Sequence, residues 1–356
     1  MQLEIWKISG QSFHFGQHGL GQEETSASFP SDSLFSALVA RLAGLEGAAA
    51  VEAFMHPFLQ GSPPFLLTST FPYAGQVYFF PNPADQPSKD LAAKTPAPVR
   101  PKELKRVQWI SEAVFRRILK GERLQELYPQ ARSLQGKSCL IAPEELQGLP
   151  PHLQAAGARL WQIDRRPRVT LGRGGQNSSL FFTGRLSFAE ACGLWVGIHW
   201  LVDDPRLHEL VSLLLADLAI AGLGGERSAG FGSCTIQPQQ EGMELPDARG
   251  RRWINLSRYH PRPDETGALQ DPAASYKIAT AGGWLDSPAR RGQRRRSIRL
   301  ICEGSILGPL ARPAPGKVVD VRPVYAGDAD PLGHPVYRSG LAVGVGILAG
   351  GEGEPQ

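Results

Sequence analysis

Apolar and polar positions alternate at the start of the chain and predict a strand over Leu3–Phe15. Glycines interrupt this pattern in the segment FHFGQHGLG. In the next segment, FPSDSLFSALVARLAG, apolar residues recur at helical spacing. We expect a helix there, with Ser31 or Asp32 as its N-cap and Gly44 at its end.

The middle of the chain alternates between short strand patterns and helical ones. Pro64–Phe80 predicts two short strands, and Val107–Leu119 predicts a helix. Arg168–Leu171 and Leu180–Phe188 predict the arms of a hairpin, because the glycine-rich polar segment GRGGQNSS lies between them. Leu194–Val202 predicts a further strand.

A predicted helix over Pro205–Ala221 leads into the glycine-rich segment GLGGERSAGFG and then into a strand at Ser233–Gln237. The order along the chain is therefore β-α-β-β-α-β with insertions, which is the order of a ferredoxin-like fold. From residue 272 onward the patterns indicate mostly strands and turns. They are compatible with a second, degenerate unit of the same type, so the expected fold class is α+β.

The composition excludes several classes of protein. No apolar run reaches the roughly 18–20 residues that span a bilayer, and the N-terminus lacks the layout of a secretion signal. We therefore expect a cytoplasmic protein without a membrane partner. Cys139, Cys192, Cys234 and Cys302 lie far apart, and no CxxC pair or zinc-type spacing occurs. Neither a metal nor a cofactor is expected.

Arginines are more informative than the formal net charge of +4, which is only mildly basic. Six arginines lie within Arg290–Arg299. A second cluster consists of Arg165, Arg166, Arg168, Arg173 and Arg185. Guanidinium groups bind phosphates through a planar fork and stack on bases, so a polyanion is the expected partner. The alternative for either cluster is a solvated loop of positive charge.

Five glycines fall within the eleven residues of GLGGERSAGFG, so the backbone there can approach an anion closely. A P-loop is excluded because Phe231 stands where lysine is required. A dinucleotide fingerprint is excluded because Arg227 replaces its third glycine and because the segment follows a helix. A cradle for a nucleic-acid backbone and a bare glycine-rich turn both remain open.

Several segments resemble a known family. GLGGERSAGFG resembles the signature loop of the RAMP superfamily of CRISPR RNA-binding proteins. FHFGQHGLGQEETSASFPSDSLFSAL is similar to the N-terminal block of one branch, the RAMP subunit of type III-A (Csm) effector complexes that caps the 5′ end of the guide RNA. IDRRPRVTLGRGGQNSSLFFTGRLSF and HPVYRSGLAVGVGI resemble later blocks of that branch. The loop alone marks the superfamily, whereas the blocks in this order are much more specific.

This resemblance implies two ferredoxin-like (RRM-like) domains, over residues 1–240 and 241–356, with an Arg-rich hairpin inserted at about 160–186 of the first domain. It implies that the protein holds the 5′ tag of crRNA in antiviral defence and has no catalytic residue. The partners implied are the crRNA, the large polymerase-like subunit and the backbone RAMP subunit of the Csm complex.

Residues of the matching motifs are expected to lie near RNA. In the glycine-rich loop these are Gly222, Gly224, Gly225, Arg227, Ser228, Gly230 and Phe231. At the end of the first strand and the start of the first helix they are Phe15, Gly16, His18, Gly19, Ser31 and Ser33. In the hairpin they are Arg165, Arg166 and Arg168. Arg290–Arg299 matches no pattern of the family, and an acidic partner protein is one alternative for it.

Catalysis is the main alternative, because relatives in the superfamily cleave repeat RNA with a histidine. A metal-free endoribonuclease would use His14 or His18, together with a positioned lysine or tyrosine. Lys7 and Tyr73 are present, but no spacing links them to either histidine. Asp32 is a possible residue for metal-dependent cleavage, although a role as helix cap explains it better. We therefore expect that the protein is not an enzyme.

Overall fold

A computed structural model describes most of the chain. The described ranges are 1–16, 24–84, 99–155, 157–171, 178–285, 293–324 and 332–348. The predicted RNA contacts His18 and Gly19 lie outside these ranges, as do Arg173, Arg290 and Arg291.

The first two thirds of the chain are built around one mixed sheet of ten strands. The strands of this part are β1 (Gln2–Ser9), β2 (Phe65–Leu67), β3 (Phe71–Ala74), β4 (Val77–Pro81), β5 (Trp109–Ser111), β6 (Arg132–Leu134), β7 (Cys139–Ile141), β8 (Trp161–Leu171), β9 (Ser178–Phe188), β10 (Cys192–Trp200), β11 (Thr235–Pro238) and β12 (Met243–Glu244). The sheet order is β11-β1-β10-β3-β4-β5-β7-β6, with β12 beside β1 and β2 beside β10. β8 and β9 form a separate two-stranded hairpin.

In the described residues, six α-helices accompany these strands, and the two longest pack against each other. They are α1 (Ser31–Glu46), α2 (Ala48–Leu59), α3 (Pro101–Leu104), α4 (Glu112–Leu119), α5 (Leu124–Leu127) and α6 (Pro205–Ala221). The buried positions of α6, such as Leu214 and Leu218, recur at helical spacing. The Asp204 carboxylate accepts the Arg206 backbone N–H at 3.0 Å and caps this helix. In the described ranges no helix is long and apolar enough to cross a membrane.

The structure corrects the predicted ends of the first two helices. α1 has Pro30 at its N-cap position and no side-chain cap, so the predicted cap at Ser31 or Asp32 was wrong. The helix also continues past Gly44 to Glu46, and the residue with positive φ at its C-cap is Gly47 (φ 84°). The predicted helix over 107–119 is in fact strand β5 followed by α4.

The C-terminal third consists of short strands that pack against the first part. They are β13 (Trp253–Asn255), β14 (Ile278–Ala281), β15 (Ile298–Ile301), β16 (Ile306–Leu307), β17 (Gly316–Asp320), β18 (Tyr337–Leu341) and β19 (Gly344–Gly346). β16-β13-β19, β14-β15 and β17-β18 form three small sheets, and the described residues after 241 contain no α-helix. β18 packs on α1, and Leu256 and Val343 belong to the same buried core as the large sheet. The expected α+β class is confirmed, whereas the division at residue 240 stays a prediction.

Candidate nucleic-acid interface

Three parts of the chain meet where the first strand ends. They are residues 12–16, the glycine-rich loop (residues 222–232) and the base of the arginine hairpin (β8 and β9). Phe13 and Leu186 exchange two backbone hydrogen bonds, of 2.8 and 2.9 Å. On the other side, the Gly225 N–H donates to the His14 carbonyl at 2.9 Å. The strand end therefore lies between the loop and the hairpin and fixes their relative positions.

Two glycines of the loop are required by close packing. Gly224 has φ +96°, and a Cβ there would lie 2.6 Å from the His14 carbonyl oxygen and 2.9 Å from Phe15 Cδ1. Gly232 has φ +86°, and a Cβ there would lie 2.5 Å from the Leu223 carbonyl oxygen. Both separations are far below van der Waals contact, so these positions exclude any side chain. Gly224 thus lets the loop pack on the strand end, and Gly232 lets the two ends of the loop meet at Leu223.

The exposed rim of the loop is formed by other residues. Gly225, Arg227, Ser228 and Gly230 are exposed, whereas Gly222 is buried. Around Gly230, where φ is +86°, a Cβ would meet nothing within 4 Å. The predicted RNA contacts of this loop therefore fall into two groups, one that shapes the loop and one that faces outward.

The arginine hairpin reaches the loop through Arg168. Its guanidinium carbon lies 5.4 Å from the centroid of the Phe231 ring, which is the geometry of a cation–π contact. On the same face of the hairpin, Asp164 accepts two hydrogen bonds from Arg185, at 3.0 and 2.9 Å. Arg166 lies 3.1 Å from the same carboxylate and is exposed. A single carboxylate thus orients two arginines beside the loop.

The opposite face of the hairpin is apolar and open. Residues alternate between the two faces of a strand, and Val169 pairs with Leu180 while Pro167 pairs with Phe182. Val169, Leu180 and Phe182 are exposed, and Arg165 shares their face because it lies two positions before Pro167. An exposed apolar stripe of this kind is typical of a surface that another macromolecule covers.

Ser31, Asp32 and Ser33 face the C-terminal part of the chain. Ser31 is buried, and its hydroxyl accepts the Arg258 backbone N–H at 2.8 Å. The Arg338 guanidinium donates to Asp32 and Ser33, both at 2.8 Å. RNA contact at the two serines stays a prediction, whereas Asp32 is an ion-pair partner and not a helix cap. Sequence patterns gave no signal for Arg338, because it lies 306 positions away.

Among the described residues, the candidate catalytic groups His14 and Lys7 have different partners. His14 is 7% exposed, and its Nδ1 lies 2.8 Å from the Gly184 carbonyl oxygen. The Lys7 ammonium donates to the Gly75 carbonyl at 2.9 Å and lies 4.7 Å from the centroid of the Tyr73 ring. Burial lowers the pKa of Lys7 and raises that of Tyr73. In the described part of the chain, no three His, Cys, Asp or Glu side chains lie close enough together to hold a metal ion.

Comparisons with known proteins agree with this architecture. Residues 248–347 match the family model of the CRISPR Csm4 C-terminal domain. The chain is 24% identical over 325 residues to the CRISPR system Cms protein Csm4 of Thermococcus onnurineus, over 89% of this chain and 91% of that protein. It is 25% identical over 340 residues to the Csm4 protein of Mycobacterium tuberculosis, over 95% of each.

Solved structures share the fold. The chain superimposes with a TM-score of 0.65 and 18% identity on a chain of the Csm3-Csm4 subcomplex of the type III-A CRISPR-Cas interference complex, over 98% of this chain and 100% of that one. For a chain of the Csm1-Csm4 cassette in complex with cA4, the TM-score is 0.52 at 18% identity, over 98% of each. At this identity the likeness concerns the fold. The C-terminal domain match and the relatives along nearly the whole chain bear out the expected resemblance to the Csm4 proteins of CRISPR systems.

Proposed function

We propose that this protein is a non-catalytic RNA-binding subunit of a type III-A CRISPR ribonucleoprotein and that it holds the 5′ tag of the crRNA. The observation that supports this most strongly is the meeting of the glycine-rich loop, the strand end and the arginine hairpin. Each was expected near RNA from its own motif, and the backbone bonds of Phe13 and the contact of Arg168 with Phe231 join all three.

The strand order supports a ferredoxin-like first domain. In chain order, β1, β3, β10 and β11 are the four strands of such a unit, and α1 and α6 are its helices. Their sheet order is β11-β1-β10-β3, all antiparallel, which is the arrangement that a β-α-β-β-α-β chain gives when its halves interleave. The short strands after residue 241 would then be a second unit that has lost its helices.

The chemistry of the surface suits RNA. Arginine forks bind phosphate, and the exposed glycines of the rim let a sugar–phosphate backbone approach closely. Arg166 is exposed and Arg168 is partly buried against an aromatic ring, so one faces solvent and one is held in place. Because neither arrangement reads base edges, we expect binding that tolerates different sequences.

The same proposal includes a bridging role between the large polymerase-like subunit and the backbone subunits. The matching structures are described as Csm1-Csm4 and Csm3-Csm4 assemblies, which supports two partner surfaces for this chain. Among the exposed apolar surfaces of the described residues, two suit such contacts. One is the open face of the arginine hairpin, and the other contains Leu213 and Ile220, which lie seven residues apart on α6.

The double variant Arg166→Gln, Arg168→Gln is expected to weaken crRNA binding and its dependence on salt. Each lost phosphate contact should reduce the slope of log K against log salt by about 0.7 for a single strand. The measurement is a titration of the full-length protein with crRNA over a range of salt. Arg206→Gln, at an exposed position of α6, is the matched control. An unchanged slope in the double variant would remove the hairpin from the RNA site.

We further propose that the protein leaves RNA intact, since His14 is buried and hydrogen bonded to the hairpin backbone. Incubation of the purified protein with repeat RNA in the absence of metal should yield no product. Cleavage that disappears in His14→Ala or His18→Ala would instead support the endoribonuclease alternative. If the protein is catalytically inert, the repeat RNA stays intact with the parent and with both variants.

A further inference from the structure

Four arginines of the Arg290–Arg299 run lie in the described residues, and they belong to or flank a second two-stranded ribbon, formed by β14 and β15. Within it, Thr280 pairs with Arg299. The pairing continues beyond the two strands, because Trp284 forms a bridge with Arg294 and the Leu285 N–H donates to the Gln293 carbonyl at 2.8 Å. The ribbon belongs to the C-terminal third and is separate from the glycine-rich loop and the arginine hairpin.

One side of this ribbon is open to solvent. Ile278, Thr280 and Arg299 are exposed, whereas Ala279 is half-buried and Leu300 is buried. One face therefore packs against the protein, and the other carries Ile278, Thr280 and the cross-strand Arg299. This second face is open except at its end, where Ile301, opposite Ile278, is buried.

Trp284 is exposed on the same ribbon. Its side chain is 55% exposed, and the Arg294 guanidinium carbon lies 4.7 Å from the centroid of its ring. All seven tryptophans lie in the described ranges, and among them only Trp284 is exposed. A guanidinium over the indole fixes the orientation of the ring and leaves much of its surface free for stacking.

The arginines of the ribbon have different roles. Arg295 holds the ribbon together, because its Nε donates to the Gly282 carbonyl at 2.9 Å, and burial lowers its pKa to about 10. Arg296 donates to the Asp320 carbonyl at 2.5 Å. Arg294 and Arg299 are exposed, and neither has an ion pair with a carboxylate of the described residues. These two charges are therefore available to a ligand.

We propose that Trp284, Arg294 and Arg299 form a second contact for single-stranded RNA, in which an unpaired base stacks on the indole and the guanidinium groups bind neighbouring phosphates. An exposed aromatic ring together with exposed arginines of the same ribbon is the combination that sequence-tolerant single-strand binders use. The inference rests on the proposed function only for the identity of the polymer as RNA. The same side chains would also bind single-stranded DNA.

An acidic partner protein is the competing occupant of the ribbon. Carboxylates would satisfy Arg294 and Arg299 as phosphates do, but they offer nothing that stacks on an indole ring. The exposed Trp284 therefore favours a nucleic acid. Removal of the Trp284 ring should weaken the binding of a nucleic acid, whereas it should not weaken the binding of carboxylates to Arg294 and Arg299.

Titration of the full-length protein with a fluorescent single-stranded oligouridine tests the proposal. Trp284→Ala should weaken binding about tenfold, the loss expected for one stacked base. Trp284→Phe should recover most of the affinity, because the aromatic face is retained. Arg294→Gln with Arg299→Gln should reduce the salt slope by about 1.4, or about 0.7 for each phosphate. Arg123→Gln, an exposed arginine at the start of α5, is the matched control.

The outcomes separate this inference from the proposed function. Unchanged oligouridine binding in Trp284→Ala overturns the inference, and so does a loss of partner-subunit association without any loss of RNA binding. If crRNA binding depends on the arginine hairpin but not on the ribbon, the proposed function stands and the inference fails. If the ribbon variants bind oligouridine more weakly while the hairpin variants bind crRNA normally, the inference stands and the proposed site fails.

Discussion

Replacing Gly224 with alanine is expected to displace the glycine-rich loop and to remove most of the crRNA from the assembled complex. The added Cβ would lie 2.6 Å from the His14 carbonyl oxygen, which is backbone and has no rotamer to move. The positive φ of +96° adds strain of about 1–3 kcal/mol for any residue other than glycine. The loop must therefore leave the strand end. The measurement is the ratio of crRNA to protein in the purified complex.

Gly230→Ala is the matched control for the effect of this variant on stability. Gly230 has a similarly positive φ of +86°, but a Cβ there meets nothing within 4 Å, so the variant has the backbone strain without the clash. Its melting temperature should fall less than that of Gly224→Ala. Normal crRNA retention in a Gly224→Ala complex whose melting temperature has fallen would contradict the assignment of the loop to the RNA site.

Removing the Asp32 carboxylate is expected to produce the largest loss of stability. The Asp32 and Arg338 side chains are 4% and 5% exposed and form an ion pair of 2.8 Å. Asp32→Ala would leave the Arg338 charge buried, with the like charge of Arg295 close enough to interact with it. Breaking one side of a buried pair costs about 3–5 kcal/mol. Urea unfolding of the full-length protein should report this loss in the free energy of unfolding.

The double variant Asp32→Leu, Arg338→Met distinguishes a buried charge from lost packing. Two apolar side chains of similar volume restore much of the stability when an unpaired charge is the main cost. If the double variant is as unstable as Asp32→Ala, lost packing is the main cost of the substitution. If the free energy of unfolding of Asp32→Ala lies within about 1 kcal/mol of the parent value, the pair contributes no more than a surface salt bridge.

Local patterns predicted the elements whose residues alternate between core and solvent. The bounds of α6, Pro205–Ala221, agree with the prediction because an apolar stripe and a capping Asp204 mark the helix in sequence. β8 begins at Trp161, seven residues before the predicted arm. Its segment IDRRPR lacks apolar alternation, because both faces of the hairpin are largely exposed. The middle of the chain forms strands and helices of three to eight residues, most of them too short for a clear period.

The part of the site that depends on distant contacts could not be predicted. The sequence indicated that the glycine-rich loop, the strand end and the hairpin belong together, through their motifs. It did not indicate that Gly224 is needed to pack against His14, since steric contact between residues 210 positions apart has no local signature. Nor did it connect the start of α1 with Arg338. Asp32 therefore looked like a helix cap, which is the commonest role of aspartate at that position.

Photo-crosslinking in the reconstituted complex tests most directly whether this protein holds the 5′ tag. The crRNA would contain thiouridine within the tag, and mass spectrometry would identify the crosslinked peptides. We expect peptides from the glycine-rich loop and the arginine hairpin, with the loop crosslinks lost in Gly224→Ala. Tag crosslinks that map only to other subunits, or only to the β14–β15 ribbon of this chain, would contradict the account.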